Sequence, residues 1–490
     1  MVRRGSFGLM ATLAVLLAWS GSAGAKTPIA TATGPLPVTA TSYPFGAADH
    51  QLVPQDLSRR GYVEEEYLVS GKANVYSSPA SGPAVVRTPD APYTTRILVR
   101  RPAKRSHFSG NVIVEMLNPS NQFDLNIGWA LLHKQFMRNG DVWVGIMAKP
   151  ITVAALKAFD PARYGSLSFA NPLPLSDPGN CTNIQASVDP PAMRSRLTED
   201  GLVWDINSQV GAWLKSGARS NPLDYGRGRS QVEKAYGFGY SQTGGYLVDY
   251  INAIHPRVVA EDGRPIYDGY LVGVAGGNFV GAVPLNQCEP APRVPDPRLQ
   301  IRNAGVPVIR IMSQSDYLLA LPARREDGNT RQDRFRHYEM AGAAHATPDE
   351  LYYSAAPADI LKAGRAVPPA SCNEGPRSRF PSSIHFDAGL RNLDLWTRYG
   401  IPAPPAGRST WSTAPRCSTR TATSPAACAR RSSTCRRARG TGARPAPRSA
   451  PSPGTRSRST RRGCTRSTRT MARTSAPSCA TSAPSSRSGT

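Results

Sequence analysis

The chain has 490 residues, a formal net charge of +25 and a hydrophobic fraction of 40%. That length suffices for one large α/β domain or for about two to four domains of average size. A charge this positive would suggest nucleic acid or an anionic surface as partner. The charge is unevenly placed, however, because the segment from Arg408 to Thr490 holds 18 arginines and no acidic residue, which leaves +7 for the first 407 residues. The body of the chain is only mildly basic, so we expect no nucleic-acid partner.

The first 25 residues are predicted to be a secretory signal peptide. Arg3 and Arg4 form its charged start, and residues 9–19 form an apolar run that is too short to span a bilayer. Residues 23–25 are Ala-Gly-Ala, a small-residue cleavage site. No later stretch is apolar enough to cross a membrane, so we expect no membrane span after cleavage and a secreted or periplasmic protein. An uncleaved membrane anchor is the alternative.

The C-terminal segment 406–490 differs in composition from the rest of the chain. From Arg408 onward it lacks Leu, Ile, Val, Phe, Tyr, Asp, Glu, Lys, Asn, Gln and His. Because such a segment cannot bury apolar surface, it is predicted to be a disordered, low-complexity tail. Every residue type in it except Met471 has G or C at the second codon position, as expected for a GC-rich gene read one base out of frame. We therefore interpret the tail as a frameshifted translation; an Arg-rich nucleic-acid arm is the alternative.

The body divides into an extended, Pro/Thr/Ala-rich lead-in at 26–60 and a domain at 61–405. Alternating or apolar runs predict strands, and 3.6-residue periodicity predicts helices. The predicted strands are 62–68, 93–99, 111–117, 142–147, 232–238, 267–274, 306–312 and 335–340, and the predicted helices are 127–137, 202–214, 246–254 and 390–399. This order predicts an α/β fold with a doubly wound, mostly parallel sheet. Residues 151–199 form a Pro-rich insertion that is long enough to be a lid or pocket wall, and 279–300 form a second proline-rich excursion.

The strongest candidate for a functional site is the serine at position 241. The sequence Gly-Tyr-Ser-Gln-Thr-Gly at 239–244 joins a predicted strand to a predicted helix, which places Ser241 on a tight turn. Such a turn strains the serine backbone and needs small neighbours, and the helix N-terminus favours developing negative charge. Thr243 replaces the second glycine of the usual Gly-x-Ser-x-Gly, and Gly244 follows one place later. An ordinary turn that opens a helix is the alternative, whereas a dinucleotide loop would need glycine at 242.

A serine hydroxyl becomes a good nucleophile only with a base and a carboxylate that orients the base. In this strand-turn-helix architecture the partners follow in the order Ser, Asp or Glu, His, on loops after strands. Asp316 follows the predicted strand 306–312, and His345 follows the predicted strand 335–340. The order and spacing therefore predict a catalytic triad of Ser241, Asp316 and His345.

Four other side chains compete for these roles. His337 is predicted to lie inside a strand and His385 on a late loop, so neither is well placed as the base. Glu339 and Asp333 could replace Asp316, but neither follows a strand end directly.

An oxyanion hole needs two donors aimed at the developing alkoxide. The backbone N–H of Gln242, the residue after the nucleophile, is predicted as one donor. The loop after the strand 111–117 is predicted to supply the other, near Asn118. Glu115 within that strand is interpreted as structural.

The cysteine and histidine pattern predicts no metal site and no cofactor, because neither Cys-x-x-Cys nor His-x-x-x-His occurs. Three cysteines lie in the body, at 181, 288 and 372. One pair can form a disulfide in an exported protein, but the sequence does not determine which.

With these motifs the chain resembles the α/β-hydrolase superfamily, and in particular a group of exported bacterial α/β-hydrolase-domain proteins. Their nucleophile turn commonly has Gly-Tyr-Ser-Gln-Ser-Gly, and the likeness covers about residues 40–405. Segments 114–118, 160–167, 204–209 and 340–345 are similar as well. The resemblance implies a Ser–His–Asp triad of the residues named above and hydrolysis of a small-molecule ester. A non-catalytic exported binding protein on the same fold and a non-functional frameshifted product are the alternatives.

The frameshift interpretation is tested by sequencing the gene across codons 404–416. We expect a one-base insertion or deletion, because shifting the GC-rich third codon position into second place produces the composition of the tail. An intact frame that encodes the printed residues would contradict the interpretation.

Overall fold

The computed structural model describes residues 24–78, 84–184, 191–275, 283–292, 296–317, 320–373 and 375–409. The predicted signal peptide, except for its last two residues, and residues 410–490 of the predicted tail lie outside this part of the chain.

Strands and helices alternate through most of the described chain. The strands are β1 Ala25–Lys26, β2 Thr31–Thr33, β3 Tyr62–Ser77, β4 Val85–Pro102, β5 Asn111–Leu117, β6 Val142–Met147, β7 Lys234–Tyr240, β8 Val258–Val259, β9 Gly269–Gly273, β10 Val308–Ser313, β11 Gly328–Asn329, β12 Arg334–Met340, β13 Ser371–Cys372 and β14 Gly375–Pro376. The helices are α1 Ile127–Asn139, α2 Ile151–Phe159, α3 Pro161–Tyr164, α4 Val203–Lys215, α5 Gln242–Asp249, α6 Gln314–Tyr317, α7 Asp349–Tyr352, α8 Pro357–Lys362 and α9 Ser382–Tyr399. A π-helical turn, Tyr250–Ile254, continues α5.

Ten strands form one sheet in the order β11-β12-β10-β9-β7-β5-β6-β4-β3-β2. Neighbours from β12 to β6 are parallel. The strands β11, β4, β3 and β2 add antiparallel edges. The predicted α/β class with a mostly parallel sheet is confirmed.

The strand order places the candidate site. The strands β6 and β7 lie on opposite sides of β5, so the chain reverses its direction across the sheet between β5 and β7. In open α/β sheets, ligands bind in the crevice at the carboxyl ends of the strands at such a reversal. The loop after β5 and the serine turn after β7 meet at this point.

The central strands are buried because helices cover the sheet. All six residues of β6 are buried, as are residues 112–117 of β5, so both strands are apolar on both faces apart from Glu115. Their bounds match the predicted ones. The helix α9 packs on β9 and β10.

The structure differs from the sequence prediction at three places. The β3–β4 hairpin includes residues predicted as its connection, because register-matched backbone pairs extend to Ser77 and Val85. Residues 151–159, predicted as the start of an irregular insertion, form α2. His385, predicted on a loop, lies in α9, which begins directly after Pro381.

The described C-terminal residues extend four positions past the predicted boundary at 405 and run beside β12. Arg336 Nε donates to the Ala403 carbonyl at 2.6 Å. Arg408 forms an ion pair with Asp327 at 2.6 Å. The backbone from 401 to 409 therefore belongs to the folded domain.

A disulfide joins the two excursions from the sheet. Cys181, in the 151–199 insertion, is bonded to Cys288, and their Cα atoms are 5.6 Å apart. The β3–β4 hairpin holds both segments, because Arg87 Nη1 donates to Asn286 and its other terminal nitrogen donates to the carbonyl of Gly179. We call residues 171–184 together with 283–289 the disulfide-linked cap.

We expect the replacement Cys288→Ser to destabilise the protein. The bond closes a loop of 107 residues, and removing a disulfide of this kind lowers the free energy of unfolding by about 2–4 kcal/mol. Urea unfolding under non-reducing conditions measures the loss. Cys181→Ser and the double variant should match the single variant, because all three break the same bond; additive losses would contradict this account.

Candidate active site

The backbone at Ser241 is strained. Its φ is 57° and its ψ is −118°, between the end of β7 and the start of α5. Such a conformation costs a non-glycine residue about 1–3 kcal/mol and occurs mainly at functional sites. Backbone bonds hold it, since the Ser241 N–H donates to the Gly273 carbonyl and its own carbonyl accepts from Gly245, both at 3.0 Å. The serine is only 7% exposed.

Two glycines and one hydroxyl make this turn possible. A Cβ on Gly239 would lie 2.3 Å from the Thr243 carbonyl oxygen, and one on Gly244 would lie 2.6 Å from Cβ of Ala275. Thr243, which departs from the usual motif, is fully buried, and its Oγ1 lies 3.2 Å from both the N and the O of Tyr240. The threonine is tolerated because its hydroxyl hydrogen-bonds the end of β7.

The three predicted triad residues meet in one chain of hydrogen bonds. Ser241 Oγ lies 2.8 Å from His345 Nε2, and His345 Nδ1 lies 2.8 Å from Asp316 Oδ1. With the ring proton on Nδ1, the imidazole donates to the carboxylate and accepts from the serine. Tyr240 Oη donates to the His345 carbonyl at 2.6 Å and so holds the histidine loop against the nucleophile turn.

Side chains before Asp316 couple the aspartate loop to the histidine loop. Ser313 Oγ donates to the second carboxylate oxygen of Asp316. Gln314 Oε1 accepts from the Gly342 N–H at 2.6 Å, and Gln314 N–H donates to the Ala343 carbonyl at 3.0 Å. Sequence reasoning did not assign Ser313 or Gln314, although polar residues directly after a buried strand were the signal available.

A second carboxylate acts on the histidine. Burial lowers the pKa of His345, but the charge and hydrogen bond of Asp316 and the charge of Glu350 raise it, and the net pKa is above the ordinary 6.5. Glu350 accepts from the Thr347 N–H at 3.1 Å. Burial raises the pKa of Glu350 to about 7, against the opposing charge of His345. Glu350 was not foreseen, because four residues separate it from the histidine and it lies on the short helix α7.

The two backbone N–H groups predicted to stabilise the oxyanion differ in whether they already have a hydrogen-bond partner. The N–H of Gln242, at the first position of α5, has no partner in the described part of the chain. The N–H of Asn118, in contrast, donates to the Leu125 carbonyl at 2.9 Å. Asn118 Nδ2 donates to the Tyr240 carbonyl at 2.7 Å. Asn118 is therefore not placed as a backbone donor; it fixes the loop after β5 against the nucleophile turn.

Other charged residues considered from the sequence have structural partners. Glu115 accepts from the N–H of Gly128 at 2.7 Å and from Nε1 of Trp143 at 2.8 Å, which supports its structural interpretation. His337 is buried in β12 beside Glu339, at 3.1 Å, and burial lowers its pKa to about 4.

The two remaining competitors are also engaged away from Ser241. His385 is exposed on α9 and stacks on Phe380 with ring centroids 5.2 Å apart. Asp333 pairs with Arg325 at 2.7 Å.

A cavity of about 540 Å³ lies at the disulfide-linked cap, lined in part by Asp177, Cys181, Arg196 and Cys288. No triad residue lines it, so we do not assign it to the serine. Among the described residues there is no group of His, Cys, Asp and Glu able to hold a metal ion. None of the helices in the described ranges has the length and apolar character to cross a bilayer.

The sheet, the strained serine turn and the hydrogen-bonded Ser–His–Asp arrangement define an α/β hydrolase. A family model described as alpha/beta hydrolase domain matches residues 32–441. The chain belongs to that family. No protein of curated function matches it in sequence.

Several solved structures are similar to this chain. An esterase from Rhizomucor miehei is 10% identical with a TM-score of 0.34, over 69% of this chain and 85% of that one. Esterase B from Lactobacillus rhamnosis is 12% identical with a TM-score of 0.33, over 72% and 90%. A thermostable esterase from Pseudomonas putida is 14% identical with a TM-score of 0.31, over 64% and 83%.

We expect Glu350→Gln to shift the acidic limb of the pH–activity profile to lower pH. A general base works as neutral imidazole, so activity rises with pH through the pKa of His345. The Glu350 carboxylate stabilises the imidazolium, and removing its charge lowers that pKa. The profile of kcat/KM between pH 5 and 9 measures the shift; Asp349→Asn, on the same short helix, serves as the control. A limb that stayed in place or moved to higher pH would contradict the assignment.

Proposed function

We propose that this protein is an exported serine hydrolase that cleaves small-molecule carboxylic esters through an acyl-enzyme. The observation that carries the proposal is the continuous hydrogen-bond chain from Ser241 through His345 to Asp316, built on a strained strand-to-helix turn. Ser241 and Asp316 each lie within hydrogen-bonding distance of the His345 ring, so no side chain has to move before the reaction begins.

In the acylation step Ser241 Oγ attacks the ester carbonyl carbon while His345 Nε2 takes the hydroxyl proton. Asp316 keeps the ring oriented and stabilises the imidazolium that forms. The carbonyl oxygen becomes an oxyanion, which the Gln242 N–H and the N-terminus of α5 stabilise. Collapse of the tetrahedral intermediate breaks the C–O bond, and the alcohol leaves with the proton from His345.

Deacylation repeats the sequence with water. His345 accepts a proton as water attacks the acyl carbon, and the second tetrahedral intermediate releases the acid and restores Ser241. The partial exposure of the His345 side chain, 38%, is compatible with water reaching the acyl-enzyme.

The proposal of export rests on two features. The first residues have the composition of a cleavable signal peptide. The Cys181–Cys288 disulfide suits an oxidising compartment, because such bonds are rare in reducing cytosol. We therefore propose a periplasmic or secreted location.

The serine mechanism is tested with a fluorophosphonate probe and a short-chain nitrophenyl ester. The probe should label the wild-type protein and leave Ser241→Ala unlabelled, because phosphonylation needs the activated hydroxyl. His345→Ala should lower kcat about 10³–10⁶-fold, as removal of a triad member does. His385→Ala is the matched control and should keep both labelling and turnover.

Equal labelling of wild type and Ser241→Ala would remove the assignment of the nucleophile. A folded wild-type protein that neither takes the probe nor turns over any ester in a panel of acyl lengths would favour the non-catalytic binding protein. Insolubility that disappears once the reading frame is corrected would favour the frameshifted product.

A further inference from the structure

The loop at 118–125 holds Ser241 from two sides. Asn118 Nδ2 donates to the carbonyl of Tyr240, the residue before the nucleophile, at 2.7 Å. Ser120 Oγ lies 3.1 Å from Oε1 of Gln242, the residue after it. The first three residues of this loop therefore lie directly over the nucleophile turn.

The backbone of those three residues offers no free donor. The Asn118 N–H is bonded to the Leu125 carbonyl, and residue 119 is proline, which has no N–H. The Ser120 N–H donates to Asn118 Oδ1 at 2.8 Å. Among these three residues, therefore, only a side chain can act with the Gln242 N–H as a second donor to an oxyanion at Ser241.

The Ser120 hydroxyl is the side-chain donor at this position. Ser120 is exposed, whereas Gln242, whose side chain its hydroxyl contacts, is 3% exposed. We propose that Ser120 Oγ is the second oxyanion donor and that the Gln242 carboxamide positions it. This inference rests on the proposed function and adds a catalytic residue to it.

The Gln242 carboxamide can support the hydroxyl in both states of the reaction. In the free protein the Ser120 hydroxyl donates to Gln242 Oε1. Gln242 Nε2 is buried and has no hydrogen-bond partner among the residues that the structure describes. When the Ser120 hydroxyl turns to the oxyanion, rotation of the carboxamide lets Nε2 donate to the lone pair of Ser120 Oγ. That exchange satisfies the buried amide and strengthens the donor through hydrogen-bond cooperativity.

Buried ion pairs hold the far end of the loop, at Asp124, in place. Asp124 Oδ2 accepts from Arg96 Nε at 3.0 Å, and Arg96 Nη1 donates to Glu66 Oε1 at 2.8 Å. All three side chains are at most 2% exposed. Because the loop is fixed at both ends, Ser120 is preorganised, and a preorganised donor stabilises developing charge without reorganisation at the moment of reaction.

The test compares Ser120→Ala and Ser120→Thr with Ser58→Ala, an exposed serine whose hydroxyl donates to Asp56 at 2.6 Å. We expect Ser120→Ala to lower kcat about 10²-fold with KM within about twofold, as loss of one oxyanion donor does. The affinity for a trifluoromethyl ketone, whose adduct with Ser241 carries an oxyanion, should fall by the same factor. Ser120→Thr keeps a hydroxyl and should lie within about tenfold of wild type, and Ser58→Ala should equal wild type.

Gln242→Met gives a second measurement if Ser120→Ala does not fold. It removes the carboxamide but keeps the backbone N–H, so kcat should fall less than in Ser120→Ala, again at constant KM. Wild-type kcat and ketone affinity in Ser120→Ala would overturn the inference and point to the Asn121 N–H, the next donor along the loop. If Ser241→Ala kept full activity, the proposed function would fail, whatever the Ser120 variants did.

Discussion

The site depends on a backbone conformation that the serine alone would not adopt. With φ at 57°, Ser241 lies in a region that ordinary side chains avoid, and the surrounding contacts must offset the strain. The 2.3 Å that would separate a Cβ on Gly239 from the carbonyl of Thr243 shows how closely strand and helix approach. This close approach keeps the turn tight and places the Ser241 hydroxyl at its apex. A larger residue at Gly239 would force β7 and α5 apart, and one at Gly244 would push α5 away from Gly273 and Ala275.

Buried ion pairs position this site more than they stabilise the fold. Removing charges from water is costly, so a buried pair adds little net stability, but it specifies geometry when every partner is present. Arg96 has two carboxylates, Glu66 and Asp124, at 2.8 and 3.0 Å. Arg163 also contacts Glu66, and Arg96 donates to the Phe45 carbonyl at 3.0 Å. The N-terminal lead-in, the β3–β4 hairpin and the loop beside the nucleophile are thereby joined in one network.

Much of the fold could be predicted from local sequence signals. The bounds of β5 and β6 agree with prediction because each is a mostly apolar run between clear turn formers. The three triad residues were named because each follows a strand, and chain order was enough to assign their roles. Both strands of the β3–β4 hairpin were predicted, but its outer part was missed because it includes Gly71 and Pro92, which local propensity places in a loop. Pairing with a partner strand overrode that propensity.

The parts of the site that could not be predicted depend on contacts between distant segments. Ser120 and Gln242 are 122 residues apart, and nothing in either neighbourhood shows that they touch. The same holds for Gln314 and Gly342, which meet only because β10 and β12 are adjacent in the sheet. Asn118 was identified at the right loop, but its N–H is used by a local pairing with Leu125 that the sequence did not reveal.

The covalent bond across the cap has a practical consequence for anyone preparing the protein. A polypeptide made where glutathione keeps thiols reduced would lack this bond, so residues 171–184 and 283–289 would not be covalently joined. Two preparations with identical active-site titres would then differ in their free energy of unfolding. A stability measured on one preparation would not apply to the other until the free thiols of both had been counted.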